Sequence, residues 1–506
     1  MINDLIMGNY FYDMLPASEM EQLHYIPTIS EFLGWIEEKY ADLPALSDGV
    51  NKYTYKQMCE RIARRRTAIA ALGLEKGSKI AILDRNSVDA IELFLAVTSS
   101  GMVVINLPAQ LPEPAVVGSC RKFDVKAIFV RDEFKPLCGQ LEGLGIKVLP
   151  ASTVADEPSP CVNVDKEDTA AIFFTGGTTG APKGAVLPHR ALMRGSFNGI
   201  FMPGSVLGNQ RSICMLPLSH IFGLVRGMMS FLYIGAEMYS CEDMKAVIGK
   251  LPVIRPTCLV LVPGICDILY GLTKLYGPQF LGGELKTIIA GAANVPPRLI
   301  SEFDKIGINL LGGYGMTEGA NLTSGNADVR TRPTSVGKIY NGQETKVVDG
   351  ELWVRGDNVF TGYYKDEENT KATLTEDGWL RTGDLVRFDE DGYLYIVGRI
   401  KNLIILANGE NVSPEAIEEP FYAYNFIKDA LVSESEINGQ PCIAIEILPQ
   451  LQAFADTPWE QVEALVNKAV AEVNATLPTT HRISKVIVRR EDFKRTGSMK
   501  VSRNQN

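Results

Sequence analysis

AIFFTGGTTGAPKGAVLPHRALM, residues 171–193, opens on a short apolar run and turns abruptly through glycines and threonines into a second apolar stretch. The run AIFF reads as a buried strand. It leads into Thr175, Gly176, Gly177, Thr178, Thr179, Gly180 and Lys183, and a helical pattern starts near His189. Glycines let a backbone approach a ligand closely and present successive N–H groups as an anion-cradling nest. Threonine hydroxyls and a lysine ammonium add further donors for phosphate oxygens. The phosphate chain of ATP suits such a loop. It is not a Walker loop, because GxxxxGK[ST] would need glycine at Pro182 and a hydroxyl residue at Gly184. Taken alone, a flexible Gly/Thr surface loop has the same composition.

Upstream, KIAILDRNS (79–87), MVVINLP (102–108) and VKAIFVRD (125–132) are further short apolar runs bounded by turn residues, as is TAAIFFTGG (169–177). Runs of this kind are expected as buried parallel strands. TYKQMCERIARRRTAIAALGL (54–74) and VDAIELFLAVTSSG (88–101) have helical spacing, so the first half is expected to be a wound α/β fold. From about residue 331 the texture changes to Gly and Asp turns around Val, Trp, Tyr and Ile, as in GELWVRG, TGYYKDEE, TEDGWLRTGD and DEDGYLYIVGR. A small antiparallel region is expected there. The expected division is a large lobe, 1–398, of wound mixed sheets, followed by a small mobile α+β lobe, 399–506.

The whole chain has 506 residues, 46% hydrophobic and 22% charged, enough apolar material for several cores. Its 50 Lys and Arg against 60 Asp and Glu give −10, which opposes attraction to nucleic acid. Nine cysteines without a C-x-x-C pair argue against a zinc site or disulfide framework and fit a cytoplasmic protein. No basic, apolar leader opens the chain, and no run is long enough to span a membrane.

Two later motifs add chemistry. GGYGMTEG (312–319) sets an aromatic ring, a hydroxyl and a carboxylate within five residues. Tyr314 can stack on a purine, Thr317 can donate to an α-phosphate, and Glu318 can hold a hard cation such as Mg²⁺. WLRTGD (379–384) ends in Asp384, a carboxylate suited to two ribose hydroxyls or to a simple turn.

The order FTGGTTGAPKG, LPLSHIFG, GGYGMTE, GELWVRG, WLRTGD, GRIKNLIILANGENVSPEAIE, KRTGSMKV resembles the motif series of the adenylate-forming superfamily, which includes acyl-CoA synthetases, adenylation domains and luciferases. The resemblance runs from about residue 43 to the C-terminus. It implies that a carboxylate attacks the α-phosphorus of ATP to give an acyl-adenylate and pyrophosphate, after which a thiol displaces AMP. By this similarity Thr175, Thr178, Thr179 and Lys183 handle phosphates, Thr317 the α-phosphate and Glu318 the Mg²⁺. Gly291, Ala292, Gly313 and Tyr314 line the adenine slot, and Asp384 and Arg399 hold the ribose. Lys500 matches the lysine that steadies the developing charge during adenylation. His220 matches a position that gates carboxylate and thiol. Lys401, in GRIKN, matches a hinge about which the small lobe rotates, and Gly409 the pantetheine channel. The tail departs from the usual Ser-Gly-Lys, reading Ser498, Met499, Lys500, and lacks the proline that often begins the motif.

Amino-acid-activating relatives carry an Asp in the motif that here reads LPLSHIFG, but this chain has no acid from Ser212 to Met229. An unpaired buried ammonium would be costly, so a fatty or aryl acid is expected instead. By the resemblance the expected acceptor is CoA, with the phosphopantetheine arm of an acyl carrier protein as the alternative. From Arg482 to Asn506 eight basic residues stand against two acids, a patch that suits the phosphates of ATP or CoA, or an acidic carrier. A non-catalytic nucleotide-binding relative is the remaining reading, and the assembly is expected to be a monomer or homodimer.

Overall fold

The computed structural model describes residues 10–175, 183–406, 410–437, 440–495 and 501–503. A seven-stranded sheet holds the first half. Lys79–Leu83, Val103–Leu107, Val125–Val130 and Lys147–Pro150 are its parallel part, and Thr169–Thr175 joins beside Val103–Leu107. Lys183–Pro188 then returns antiparallel along Thr169–Thr175. The apolar runs of the sequence are these strands, and Val103–Leu107 is buried throughout, as a strand covered on both faces must be.

The two helical patterns appear as Tyr55–Ala70 and Val88–Ser99. Thr54 and Gln57 close a capping box on the first, and the Ser87 side chain accepts from Ala90 N on the second. Charges are buried where these helices meet. Glu92 and Arg65 are both 0% exposed, with Arg65 Nε 2.8 Å and Arg61 Nε 2.5 Å from the Glu92 carboxylate.

A second sheet runs Cys258–Leu261, Thr287–Ala290, Asn309–Tyr314, Ser324–Asn326, Lys338–Ile339, parallel in its first three strands. The antiparallel region expected after residue 331 is present as Gln343–Val348, Glu351–Gly356, Leu380–Phe388 and Leu394–Arg399. Not all of that stretch belongs to it. Gly362–Tyr363 pairs with Lys183–Pro188 at the edge of the seven-stranded sheet, and Glu367–Thr373 is a helix capped by Asp366. Turn-rich texture alone does not tell a local hairpin from a strand that pairs far away in sequence.

The C-terminal residues form their own core. Ile404, Phe421, Ile427, Val432, Ile445 and Val466 pack together, between the sheet Ile427–Ile437, Gln440–Pro449, Ile483–Val488 and the helix Trp459–Thr476. The architecture is the expected α/β one, with mixed sheets and a small α+β portion at the end of the chain. No helix among the described residues is long and apolar enough to cross a membrane.

Candidate active site

A cleft of about 2560 Å³ opens where several strands end and where the C-terminal portion faces the rest of the chain. Open α/β sheets offer ligands the crevice beyond the carboxyl ends of their strands, and three such ends meet here. Thr175 ends one strand, Gly291 and Ala292 follow Thr287–Ala290, and Tyr314 ends Asn309–Tyr314.

Thr175 and Lys183 stand opposite one another in the antiparallel register and both line the cleft. Gly176, Gly177, Thr178, Thr179 and Gly180, between them, lie outside the described residues. Lys183 Nζ donates to Asn369 Oδ1 and sits 5.1 Å from the centre of the Tyr363 ring. Asn369 is on the helix capped by Asp366, so the edge strand and that helix together orient the lysine.

The GGYGMTEG loop is held by close backbone approach. A Cβ on Gly315 would stand 1.0 Å from the Asn321 carbonyl oxygen, and one on Gly313 2.8 Å from that of Ser324. Ala320 and Asn321 close the turn at positive φ, 47° and 79°. Thr317 and Glu318 sit on the short turn Thr317–Gly319 and line the cleft. Glu318 is buried, and Tyr363 donates to its Oε1 at 2.7 Å, leaving Oε2 without a protein donor among the described residues. Burial, then the Glu318 charge, holds the Tyr363 phenol protonated far above its ordinary range.

Asp384 is the hub of the neighbouring cluster. It faces Arg399 across the antiparallel pair, accepting from Arg399 Nε at 2.5 Å and Nη2 at 3.1 Å. The Tyr314 hydroxyl donates to Asp384 Oδ2 at 2.5 Å. Asp384 is thus a buried, paired carboxylate on a strand and not a hairpin turn residue. Burial, reinforced by the Asp384 charge, keeps the Tyr314 phenol neutral, and the carboxylate in turn holds the Arg399 guanidinium charged against its own burial. Next to Arg399, Lys401 lines the cleft, and burial together with the Arg399 charge lowers its pKa.

The LPLSHIFG segment is fixed from the first sheet. Asn86 Nδ2 donates to the Cys214 and Leu216 carbonyls at 2.6 and 2.7 Å, and Asn106 Nδ2 to that of Leu218 at 3.0 Å. His220 then faces the cleft, its Nδ1 accepting from Phe222 N at 3.3 Å, and Phe222–Met229 follows as a π-helix. A Cβ on Gly291 would lie 2.9 Å from the Phe222 ring, so glycine is what lets that ring reach the cleft wall. Ala292 holds a left-handed φ of 63° beside it.

Lys500 and Gly409 lie outside the described residues. The chain on either side of 496–500 is fixed by a bridge between Arg495 and Val501, both lining the cleft. Much of the basic C-terminal charge is engaged within the lobe. Arg489 pairs with Glu446, Arg495 with Asp429 and Asp492, and Arg503 with Glu415 and Glu418. Sequence reasoning had linked that charge to phosphates or an acidic partner. It also passed over Tyr363, Asn369 and Asn86, whose partners lie far away in the sequence. The described residues contain no cluster of three metal-ligating side chains.

The model of the AMP-binding enzyme family matches residues 35–364, and that of its C-terminal domain matches 401–506. A probable CoA ligase of Humulus lupulus is 28% identical over 421 residues, 75% of either chain. The 2-succinylbenzoate–CoA ligase of Listeria monocytogenes is 28% identical over 457 residues, 89% of this chain and 93% of that one. The fold is that of ATP-bound MatB from Rhodopseudomonas palustris, with a TM-score of 0.81 at 24% identity, covering 94% and 98% of the two chains. This chain belongs to the AMP-binding enzyme family.

Proposed function

We propose that the cleft joins an acid with an alkyl or aryl tail to the thiol of CoA in two half-reactions. In the first, a carboxylate oxygen attacks the α-phosphorus of ATP, and pyrophosphate leaves with the electron pair of the broken P–O bond. In the second, the thiol sulfur attacks the acyl carbon, the thiol proton is lost, and AMP leaves. The observation that carries this reading is the convergence on one cleft of Thr175, Lys183, Thr317, Glu318, Asp384 and Arg399, drawn from separate segments of the chain.

Lys183 and Thr175 would hold the β- and γ-phosphates, and Thr317 the α-phosphate. Gly291, Ala292, Gly313 and Tyr314 would form the adenine slot, with Asp384 accepting from the ribose hydroxyls while Arg399 fixes its orientation. Glu318 fits a divalent cation. It is one buried carboxylate with an oxygen open to the cleft, and Mg²⁺ commonly takes one or two carboxylates and fills its shell with phosphate and water. When bound, Mg²⁺ would neutralise triphosphate charge. Lys500 would steady the charge that develops on the attacking carboxylate and α-phosphoryl oxygens. Residues 399–506 would turn about Lys401 between half-reactions, bringing Gly409 to the thiol channel.

Ile221 and Phe222, next to His220, line the cleft and would supply walls for an apolar tail. CoA is favoured over a carrier protein as acceptor, since the relatives are named CoA ligases and Arg489, Arg495 and Arg503 already have acidic partners within the lobe. Exchange of labelled pyrophosphate into ATP should require an added carboxylic acid, and AMP should accumulate only when CoA is also present. Exchange with no acid in a broad panel, or formation of ADP in place of AMP, would sink the proposal.

A further inference from the structure

Six residues beyond His220, on the π-helix, Arg226 also lines the cleft, yet it is only 2% exposed. No carboxylate meets it. Among the described residues its guanidinium makes no hydrogen bond or ion pair, and Nη1 is buried without a partner. Its surroundings are Tyr340, Cys258 and the Phe231 ring, whose centre is 5.9 Å from Cζ. The other buried arginines among the described residues are satisfied: Arg65 pairs with Glu92 and Asp89, and Arg66 donates to the carbonyls of Ser159 and Pro160. A guanidinium stays charged even when buried, so a site that holds one unpaired is incomplete until an anion arrives.

The space around it is cut to shape. A Cβ on Gly199 would come 3.2 Å from Arg226 Cδ, and one on Gly325 2.3 Å from the Tyr340 hydroxyl. That hydroxyl is a second donor lining the cleft, and it makes no hydrogen bond among the described residues. Phe11 stacks on the Tyr340 ring at 4.2 Å and completes an apolar wall with Phe201 and Phe222. Around Arg226 the cleft therefore combines apolar walls with two donors that have no protein acceptor among the described residues.

We propose that Arg226, assisted by Tyr340, binds a second carboxylate carried on the acid's tail, so that the substrate class is alkyl or aryl dicarboxylic acids. The proposal rests on the acid–CoA ligase reading and narrows its substrate. A guanidinium recognises a carboxylate through two parallel N–H···O bonds, and the phenol can add a third donor. Only one of the two carboxylates is activated, the other being held by Arg226 away from the α-phosphorus. A monocarboxylic acid of the same skeleton would leave the guanidinium buried and unpaired.

The test is pyrophosphate exchange with matched pairs of acids, each monocarboxylic acid beside the same skeleton with a distal carboxylate and beside that compound's distal amide. The dicarboxylic member should have kcat/KM higher by about 100-fold, with most of the advantage lost in the amide. Arg226→Met should collapse the ratio between diacid and monoacid, and Arg226→Lys should restore part of it. Equal or better use of monocarboxylic acids by the unaltered protein would overturn the proposal while leaving the ligase reading intact. A ratio unchanged in Arg226→Met would overturn it as well. Because the unaltered protein alone decides the first comparison, a variant that fails to fold does not block the test. No exchange with any acid would count against the ligase reading itself.

Discussion

At the scale of single residues, Asp384 shows how one carboxylate can organise a nucleotide subsite. It gathers Arg399 and Tyr314 within 3.1 Å, which positions its oxygens while keeping the phenol neutral. Asp384→Ala removes the acceptor and leaves the half-buried Arg399 guanidinium and the Tyr314 phenol without this partner. Charge-assisted hydrogen bonds contribute about 1.5–3 kcal/mol, so the KM for ATP should rise roughly 10- to 100-fold, read from initial rates at saturating acid. A second residue reports through pH. His189 is buried, and its Nδ1 accepts from Ile29 N at 3.3 Å, so the ring is held neutral with its proton on Nε2. Burial lowers its pKa from 6.5 to about 4. The unfolded chain takes up this proton before the folded one does, so the contribution is full above pH 6.5 and is lost as pH falls toward 4. At most about 3 kcal/mol is involved. Urea unfolding across this range should show a shallower acid loss for His189→Asn than for the unaltered protein.

At the scale of elements, the cleft is built by strand ends whose loops carry little slack. Gly315→Ala would drive a methyl group into the Asn321 carbonyl, displacing Thr317 and Glu318 together. Pyrophosphate exchange should fall by at least about 100-fold while circular dichroism stays near that of the parent. Where the helices Tyr55–Ala70 and Val88–Ser99 meet, Glu92 compensates two arginines, and Glu92→Ala should destabilise the protein by about 3–5 kcal/mol in denaturant titration. These elements were legible to different degrees. The parallel strands and both helices announce themselves in apolar runs and helical spacing, because burial on two faces or along one stripe dictates composition. Gly362–Tyr363 does not, since its partner Val186 lies far upstream and only the folded sheet brings Tyr363 to Glu318. Arg226 was hidden differently. Asking only whether residues 212–229 contain an acid passes over a base, and nothing local in the sequence says that this base lacks a partner.

At the scale of the whole molecule, the C-terminal residues pack about their own core and line the cleft from the far side through Arg495, Val501 and Arg503. A portion that is internally cohesive and meets the rest across a ligand cleft is suited to moving between half-reactions. The role proposed for Lys500 then separates them. Lys500→Ala should lower adenylate formation by two or more orders of magnitude, while thioester formation from a supplied acyl-adenylate survives; equal loss of both would contradict that role. Underneath every assignment lies the claim that the acid attacks the α-phosphorus of ATP in this cleft. The direct measurement is mass spectrometry of the nucleotide formed from ATP, CoA and an acid labelled with oxygen-18 in its reacting carboxylate. An acyl-adenylate leaves one labelled oxygen on the phosphate of AMP. Label in pyrophosphate or inorganic phosphate, or AMP with no label, would contradict the account.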